Sequence, residues 1–425
     1  MDIELVTIGD ELLLGFTIDT NAAHLARELA ATGVRIVRRA TVGDDAEAIV
    51  STVRDALHRT GAVITTGGLG PTADDRSKEA MAELFGQQLV LNADILSRLQ
   101  ARWRARFGRE LPVSNHQQAM LPERATILEN RHGSAPGVWL EDDQGRWVAM
   151  LPGVPREMRG MLADTLLPRI VDRAGPSGGV VRSRTLRTTS IAESALADRL
   201  GELARGVDGM TLAFLPGVEG VDLRLTSVGL SDDATTARLE VATGQLRAIV
   251  DDYIYGEGSD DLAAVVIGQL IGRGQTIAVA ESCTGGLLGG RLTAVPGSSA
   301  AVQGGIIAYD NAVKMRELAV PESLLATHGA VSEAVARQMA SAVRVRFQTA
   351  VGVGVTGVAG PGGGSEDKPV GTTWIAVDLD GEVEARRGTY FGDRAENRGR
   401  AAQQALDMIR RRLAGLPAPG ARGAR

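Results

Sequence analysis

Between residues 3 and 66 the chain alternates strand, helix, strand, helix, strand, and this order constrains the fold more than any other feature. The strand runs are IELVTI, VRIVRRATV and AVITT; the helical runs are residues 20–31, closed by Gly33, and residues 45–59, closed by Gly61. Helix-stop glycines followed by β-branched apolar runs predict a parallel sheet covered by helices. Ligands of such sheets bind in the crevice at the carboxyl ends of the strands. Two polar loops fall at such ends: Gly9-Asp10-Glu11 after the first strand, and residues 67–75 after the third.

The second loop suggests phosphate chemistry. Gly67, Gly68 and Gly70 allow backbone N–H groups to approach a phosphate or diphosphate, and Asp74 with Asp75 suits a hard divalent cation. Both aspartates suit equally the cap and first turn of the helix that runs to residue 85. Lys78, on that turn, reads either as a phosphate contact or as a surface charge. Glu157, in the helix start after LPGVPREM, reads as a third carboxylate of the site or as an ordinary first-turn glutamate. No Walker A pattern is present, which disfavours a P-loop nucleotidase. The five histidines (24, 58, 116, 132 and 328) contain no close pair, so a metal site must rely on carboxylates and water.

Residues 92–120 read as mainly helical, with Trp103 and Phe107 four apart and expected in the core rather than as a base-stacking platform. Small turn-forming residues at 174–179 mark a linker. Beyond it, about eighty residues with α+β patterning carry no catalytic constellation and read as a scaffold or dimerisation unit. A third domain begins near residue 256.

That third domain contains TIAVAESCTGGLLGGR at 276–291: a buried strand, a sharp turn, then a glycine-rich helix start. Ser282, Cys283 and Thr284 lie at the turn, where a hydroxyl meets helix N–H groups that can hold an oxyanion; helix capping is the other role such residues take. The chain has only three lysines, 78, 314 and 368, among 46 basic residues. Arginine cannot lose its proton in a protein, whereas a desolvated lysine can act as a base. Lys314, in IIAYDNAVK after a second strand-like run, is placed to face the Ser282 turn as the base of a Ser–Lys pair, or else is a solvated helix residue. Cys283 is the rival nucleophile.

Composition excludes several classes. The net charge of −6 without a Lys/Arg-rich block makes a broad nucleic-acid footprint absent, though a local patch is compatible. A single cysteine excludes an intramolecular disulfide and multi-cysteine metal sites. No membrane-length apolar run and no export signal are evident, so a cytoplasmic location is expected.

Taken together, AESCTGG, GGIIAYDNAVK, HGAVSE, GVTGVAGPGGGSEDKPVGT and GDR resemble the carboxyl-terminal domain of the CinA family. GDELLLG, TTGGLGPTADD and LPGVPREM resemble that family's molybdopterin-binding-like amino-terminal domain, with Ser77 where threonine is the commoner residue. The resemblance implies a multidomain α/β fold: a three-layer α/β/α domain over 1–172, a small central α+β domain over 180–253, an α/β deamidase domain over 256–415 and a disordered tail over 416–425. It implies deamidation of nicotinamide mononucleotide to nicotinate mononucleotide and ammonia, without a cofactor, by Ser282 as nucleophile and Lys314 as base. Tyr309 would position or protonate, and Arg394 would bind the nucleotide. Thr284, Gly285 and Gly286 would supply oxyanion donors, and Thr356 would contact substrate. For the amino-terminal domain it implies metal-dependent hydrolysis of ADP-ribose to AMP and ribose 5-phosphate, and for the whole protein a homodimer. Two other classes stay open: a module that binds a pterin or nucleotide without turnover, and an accessory factor in competence or recombination.

Overall fold

The computed structural model describes residues 1–72, 74–175 and 179–419; the expected linker residues 176–178 and tail residues 420–425 lie outside the described residues. The chain is multidomain α/β and divides into two compact units, residues 1–182 with 227–236 and residues 183–226 with 237–425.

The first unit is built on a six-stranded sheet. Asp2–Ile8 pairs in parallel with Arg35–Val42 on one side and Ala62–Thr66 on the other. Trp147–Leu151 continues the parallel order, and Gly137–Glu141 and Thr126–Leu128 close the sheet antiparallel. The chain thus leaves Asp2–Ile8 in opposite directions, which opens a crevice at the carboxyl ends of this strand and Ala62–Thr66. Helix Ala46–Thr60 follows the sequence signals closely: the Asp45 side chain accepts from the Ala48 N–H, and Gly61 ends the helix in the left-handed region. Helices cover both faces, and two apolar cores form, one on each side of the sheet. Trp103 packs against one of these cores while Phe107 is exposed, so the expected core pair is only half inside.

The second unit holds a five-stranded sheet and the larger part of a four-stranded one. Strands Val180–Thr188, Thr211–Pro216, Val221–Leu230 and Ile254–Glu257 alternate with helices Glu193–Leu200 and Asp232–Val250 in a βαββαβ order. The strand Ile254–Glu257 belongs to this sheet, beside Val180–Thr188. The central and carboxyl-terminal segments share one unit because Arg410 and Arg411, both buried, pair with Asp407 and donate to the carbonyls of Asp252 and Ile254. The five-stranded sheet repeats the logic of the first unit. Ile277–Glu281 lies between Val302–Ile307 and Val351–Gly357, all parallel, and Thr372–Leu379 and Glu382–Thr389 follow antiparallel. No helix among the described residues is long and apolar enough to cross a membrane.

Candidate functional sites

In the first unit a cavity of about 460 Å³ opens at the carboxyl ends of Asp2–Ile8 and Ala62–Thr66. Gly67, Gly68, Gly70, Asp74, Asp75 and Glu157 all line it, as does the GDELLLG loop through Gly9, Glu11 and Leu12. Gly67 and Gly68 have positive φ, 113° and 66°, and a side-chain carbon on either would lie 2.1 Å from the Ile8 carbonyl oxygen or from Ser77 Oγ. Only glycine lets this loop close on the strand end. Ser77 then pins the loop by donating to the Gly67 carbonyl at 2.9 Å.

Three expectations for this cavity are corrected. Asp75 is turned into its own loop, accepting from the Gly70 N–H at 2.7 Å and from the Thr72 N–H and hydroxyl at 2.9 and 2.5 Å. Glu157 accepts from Asn130 Nδ2 at 2.6 Å. Asp74, Asp75 and Glu157 therefore do not converge, and no group of three metal-ligating side chains is preformed among the described residues. Lys78 does not line the cavity; it is buried and its ammonium donates to the Gln117 carbonyl. Burial brings its pKa down to about 8, with the charges of Asp75 and Glu79 opposing. The capping alternative for the two aspartates is not realised either, since the helix Ser77–Leu84 begins at Arg76 without a side-chain cap.

Sequence reasoning gave no role to Asp44. It lines the cavity and exchanges backbone-to-carboxylate hydrogen bonds with Asp10 at 3.1 and 3.3 Å. Burial pushes its carboxyl up, and the charges of Asp10, Glu11 and Asp74 push the same way. Among the described lining residues there are six carboxylates and no lysine or arginine. A cation fits such a wall, and a diphosphate would require one.

In the second unit Ser282, Tyr309 and Thr356 stand at the carboxyl ends of the three parallel strands. Ser282 is buried, and among the described residues its hydroxyl has no hydrogen-bond partner. Lys314 is 1% exposed, on the helix Asn311–Leu318 capped by Asp310, and donates to the Tyr309 carbonyl at 3.1 Å. Burial pulls its ammonium below the ordinary lysine range; Asp310 and Cys283 lie close enough to oppose that shift. The solvated alternative for Lys314 is thereby excluded. Ser282 and Lys314 are not hydrogen-bonded to each other in this state.

Cys283 points away from solvent into the core, beside Gly357 and Thr373, and burial pushes its thiol up to about 11. A thiol so raised is a poor nucleophile at neutral pH. The exposed Tyr309 hydroxyl accepts from Arg394 Nη2 at 2.6 Å, and Arg394 Nη1 donates to the Gly360 carbonyl at 2.6 Å, so these two expected residues meet at the site rim. Thr356 is buried, with its hydroxyl donating to the Ala330 carbonyl at 2.8 Å.

The expected oxyanion donors differ. The Gly285 N–H donates to the Ser282 carbonyl at 3.0 Å. The Glu281 carboxylate, 1% exposed, accepts from the N–H groups of Gly286, Leu288 and Gly289 at 3.0, 3.1 and 2.7 Å. Glu281 thus takes the helix start that sequence reasoning assigned to substrate, and the helix itself begins at Leu287. The N–H groups of Cys283 and Thr284 face the Cys283 sulfur instead. Thr284 has a buried, unpartnered hydroxyl, and its carbonyl accepts from Arg398 at 2.7 and 3.2 Å. Arg398 and Asn397 were missed by sequence reasoning; Asn397 is buried and donates to the carbonyls of Ala359 and Gly392 at 3.1 Å. Their place one turn after GDR was the available signal.

Comparison with known proteins bears on both units. Residues 259–413 match the family described as CinA C-terminal domain, residues 4–172 a probable molybdopterin binding domain, and residues 183–256 the damage-inducible protein CinA KH domain. A "CinA-like protein" of Gemmatimonas aurantiaca is 67% identical over 97% of both chains. The chain belongs to the CinA-like family. A "putative competence-damage inducible protein" of Moorella thermoacetica is 42% identical over 97% of this chain and 99% of its own. The crystal structure of a competence/damage inducible protein from Agrobacterium tumefaciens is 41% identical, covering 36% of this chain and 93% of its own with a TM-score of 0.35.

Proposed function

We propose that this CinA-like protein is a pyridine-nucleotide hydrolase with two sites, the second unit deamidating nicotinamide mononucleotide and the first hydrolysing ADP-ribose. The observation that carries the first half is Lys314: a buried ammonium beside the Ser282 turn, held by one carbonyl and shifted toward its neutral form. In this reading neutral Lys314 takes the Ser282 proton as Ser282 Oγ attacks the carboxamide carbon. Lys314 returns that proton to the leaving ammonia, and water then hydrolyses the ester to the acid and frees Ser282. The amides of Cys283 and Thr284 would have to turn from the Cys283 sulfur to meet the oxyanion, because Glu281 holds those of Gly286, Leu288 and Gly289. Arg394, with Tyr309 against it, suits the nucleotide phosphate.

For the first unit the supporting observation is the wall of carboxylates under a glycine loop. Glu11, Asp44 and Asp74 line that wall without forming a ready ligand set and would have to draw together to hold a divalent cation, which would neutralise the diphosphate when bound; Gly67, Gly68 and Gly70 shape the loop against the phosphates. Turnover is tested with the purified protein. Ammonia release from nicotinamide mononucleotide should vanish in Ser282→Ala, Lys314→Arg and Lys314→Met and persist in Cys283→Ala. No release by the wild type would remove the deamidase reading. Binding of ADP-ribose with added divalent cation but without AMP formation would leave the first unit a binding module, the reading to which its matched family description also lends itself.

A further inference from the structure

The helix Arg394–Ala414, which reaches the Ser282 turn through Arg398, also forms one wall of a separate cavity of about 810 Å³ within the second unit. The edge strand Glu382–Thr389, continued by Tyr390, makes the adjoining wall, and the hairpin at residues 216–221 faces them. This volume lies in the range of small-molecule sites. Arg400 lines the cavity with its Nε buried, and among the described residues none of its N–H groups has a hydrogen-bond or carboxylate partner. The other charges in the lining are largely neutralised. Glu219 pairs with Arg187 and Arg291, Asp407 with Arg410 and Arg411, and Arg386 with Glu384. Arg387, which gives one N–H to the Asp367 carbonyl, and Arg400 remain, against the exposed carboxylate of Glu193.

A desolvated guanidinium N–H without an acceptor is costly, and its planar fork matches an oxyanion. We infer that this cavity is a binding site for a small phosphate-bearing molecule, with Arg400 as the inner contact and Arg387 at the rim. The site is distinct from the one built on Ser282 and does not depend on the reaction assigned there. It is nevertheless connected to it. Tyr390 donates to Gln404 in the cavity wall; burial raises its phenol, with Cys283 near enough to add to that and Arg400 near enough to oppose it. Arg398, two residues before Arg400, holds the Thr284 carbonyl. An occupant of the cavity is therefore expected to be sensed at the Ser282 turn.

The test titrates inorganic pyrophosphate into the full-length protein by calorimetry and locates the contact by hydrogen exchange. Protection is expected in peptides covering residues 386–390 and 216–221. Arg400→Gln should weaken that binding at least about tenfold, the loss of a charge-assisted hydrogen bond, and remove the protection. Arg400→Lys should restore part of both, and it carries the test should the glutamine variant not fold. Arg394→Gln, at the Ser282 site, should leave this protection in place. No protection at millimolar pyrophosphate, or unchanged affinity in Arg400→Gln, overturns the site. Malonate binding as tightly as pyrophosphate overturns the phosphate assignment.

Discussion

Lys78 and Lys314 are the buried lysines of the two units, each on the helix that follows a parallel strand. Each donates to a main-chain carbonyl, and burial depresses the pKa of each. Their surroundings separate them. Lys78 lies outside the lining of its cavity and faces the acidic Asp75 and Glu79. Lys314 faces the turn that carries Ser282 and Cys283. A depressed pKa makes a lysine available as a base; only a nucleophile within reach makes it one.

The largest effect that tests this contrast is on ammonia release from nicotinamide mononucleotide. Lys314→Arg is expected to lower kcat about a thousandfold, within the range for loss of a general base, whereas Lys78→Arg should change it less than about twofold. Similar losses in both would show that burial rather than position is being measured. The wild-type rate should rise with pH through a midpoint below the ordinary lysine value, as the neutral base forms.

Next comes stability. Folding lowers the Lys78 pKa to about 8, so between about 8 and about 10.4 the unfolded chain binds more protons than the native state. Stability therefore rises with pH across that window; the penalty, about 3 kcal/mol, is complete below it and gone above it. Urea unfolding from pH 7.5 to 10.5 should show this slope in the wild type and a shallower one in Lys78→Met. An unchanged slope in Lys78→Met would mean that Lys78 is solvated and charged.

The two units also show what the chain discloses of itself. Strand and helix order, the stop at Gly61 and the placing of Ser282 at a strand end followed from spacing, because periodicity reports which elements form, whereas Tyr309 and Thr356 were marked only by the family resemblance. Side-chain direction did not follow. Asp75 turns into its own loop and Lys78 away from the cavity, although both lie within five residues of Gly70 or Asp74. The cavity around Arg400 joins residues more than two hundred positions apart, so no local pattern marked it.

Glu281 and Asp75 extend the comparison to the acids, each gathering N–H groups of the loop it belongs to. Glu281 is buried beneath the helix start, so Glu281→Gln, which presents donors to donors, should cost about 2 kcal/mol in urea unfolding. Asp75→Asn, in a half-buried loop, should cost less than about 1 kcal/mol and lower hydrolysis of ADP-ribose without affecting ammonia release. Equal costs would mean that the first turn after Ser282 does not depend on its buried carboxylate.

The smallest effect is expected at Cys283. Its thiol is enclosed by Gly357, Thr373 and the apolar core, and burial pushes it up to about 11. At pH 7 only about one molecule in ten thousand would carry the thiolate. Cys283→Ala should therefore retain ammonia release within about twofold and lose about 1 kcal/mol of stability from the small void left in the core. The paired variant decides the matter. Should Cys283→Ala be inactive while Ser282→Ala still turns over, sulfur would be the nucleophile despite its burial, and the turn would have to open before each reaction to expose it.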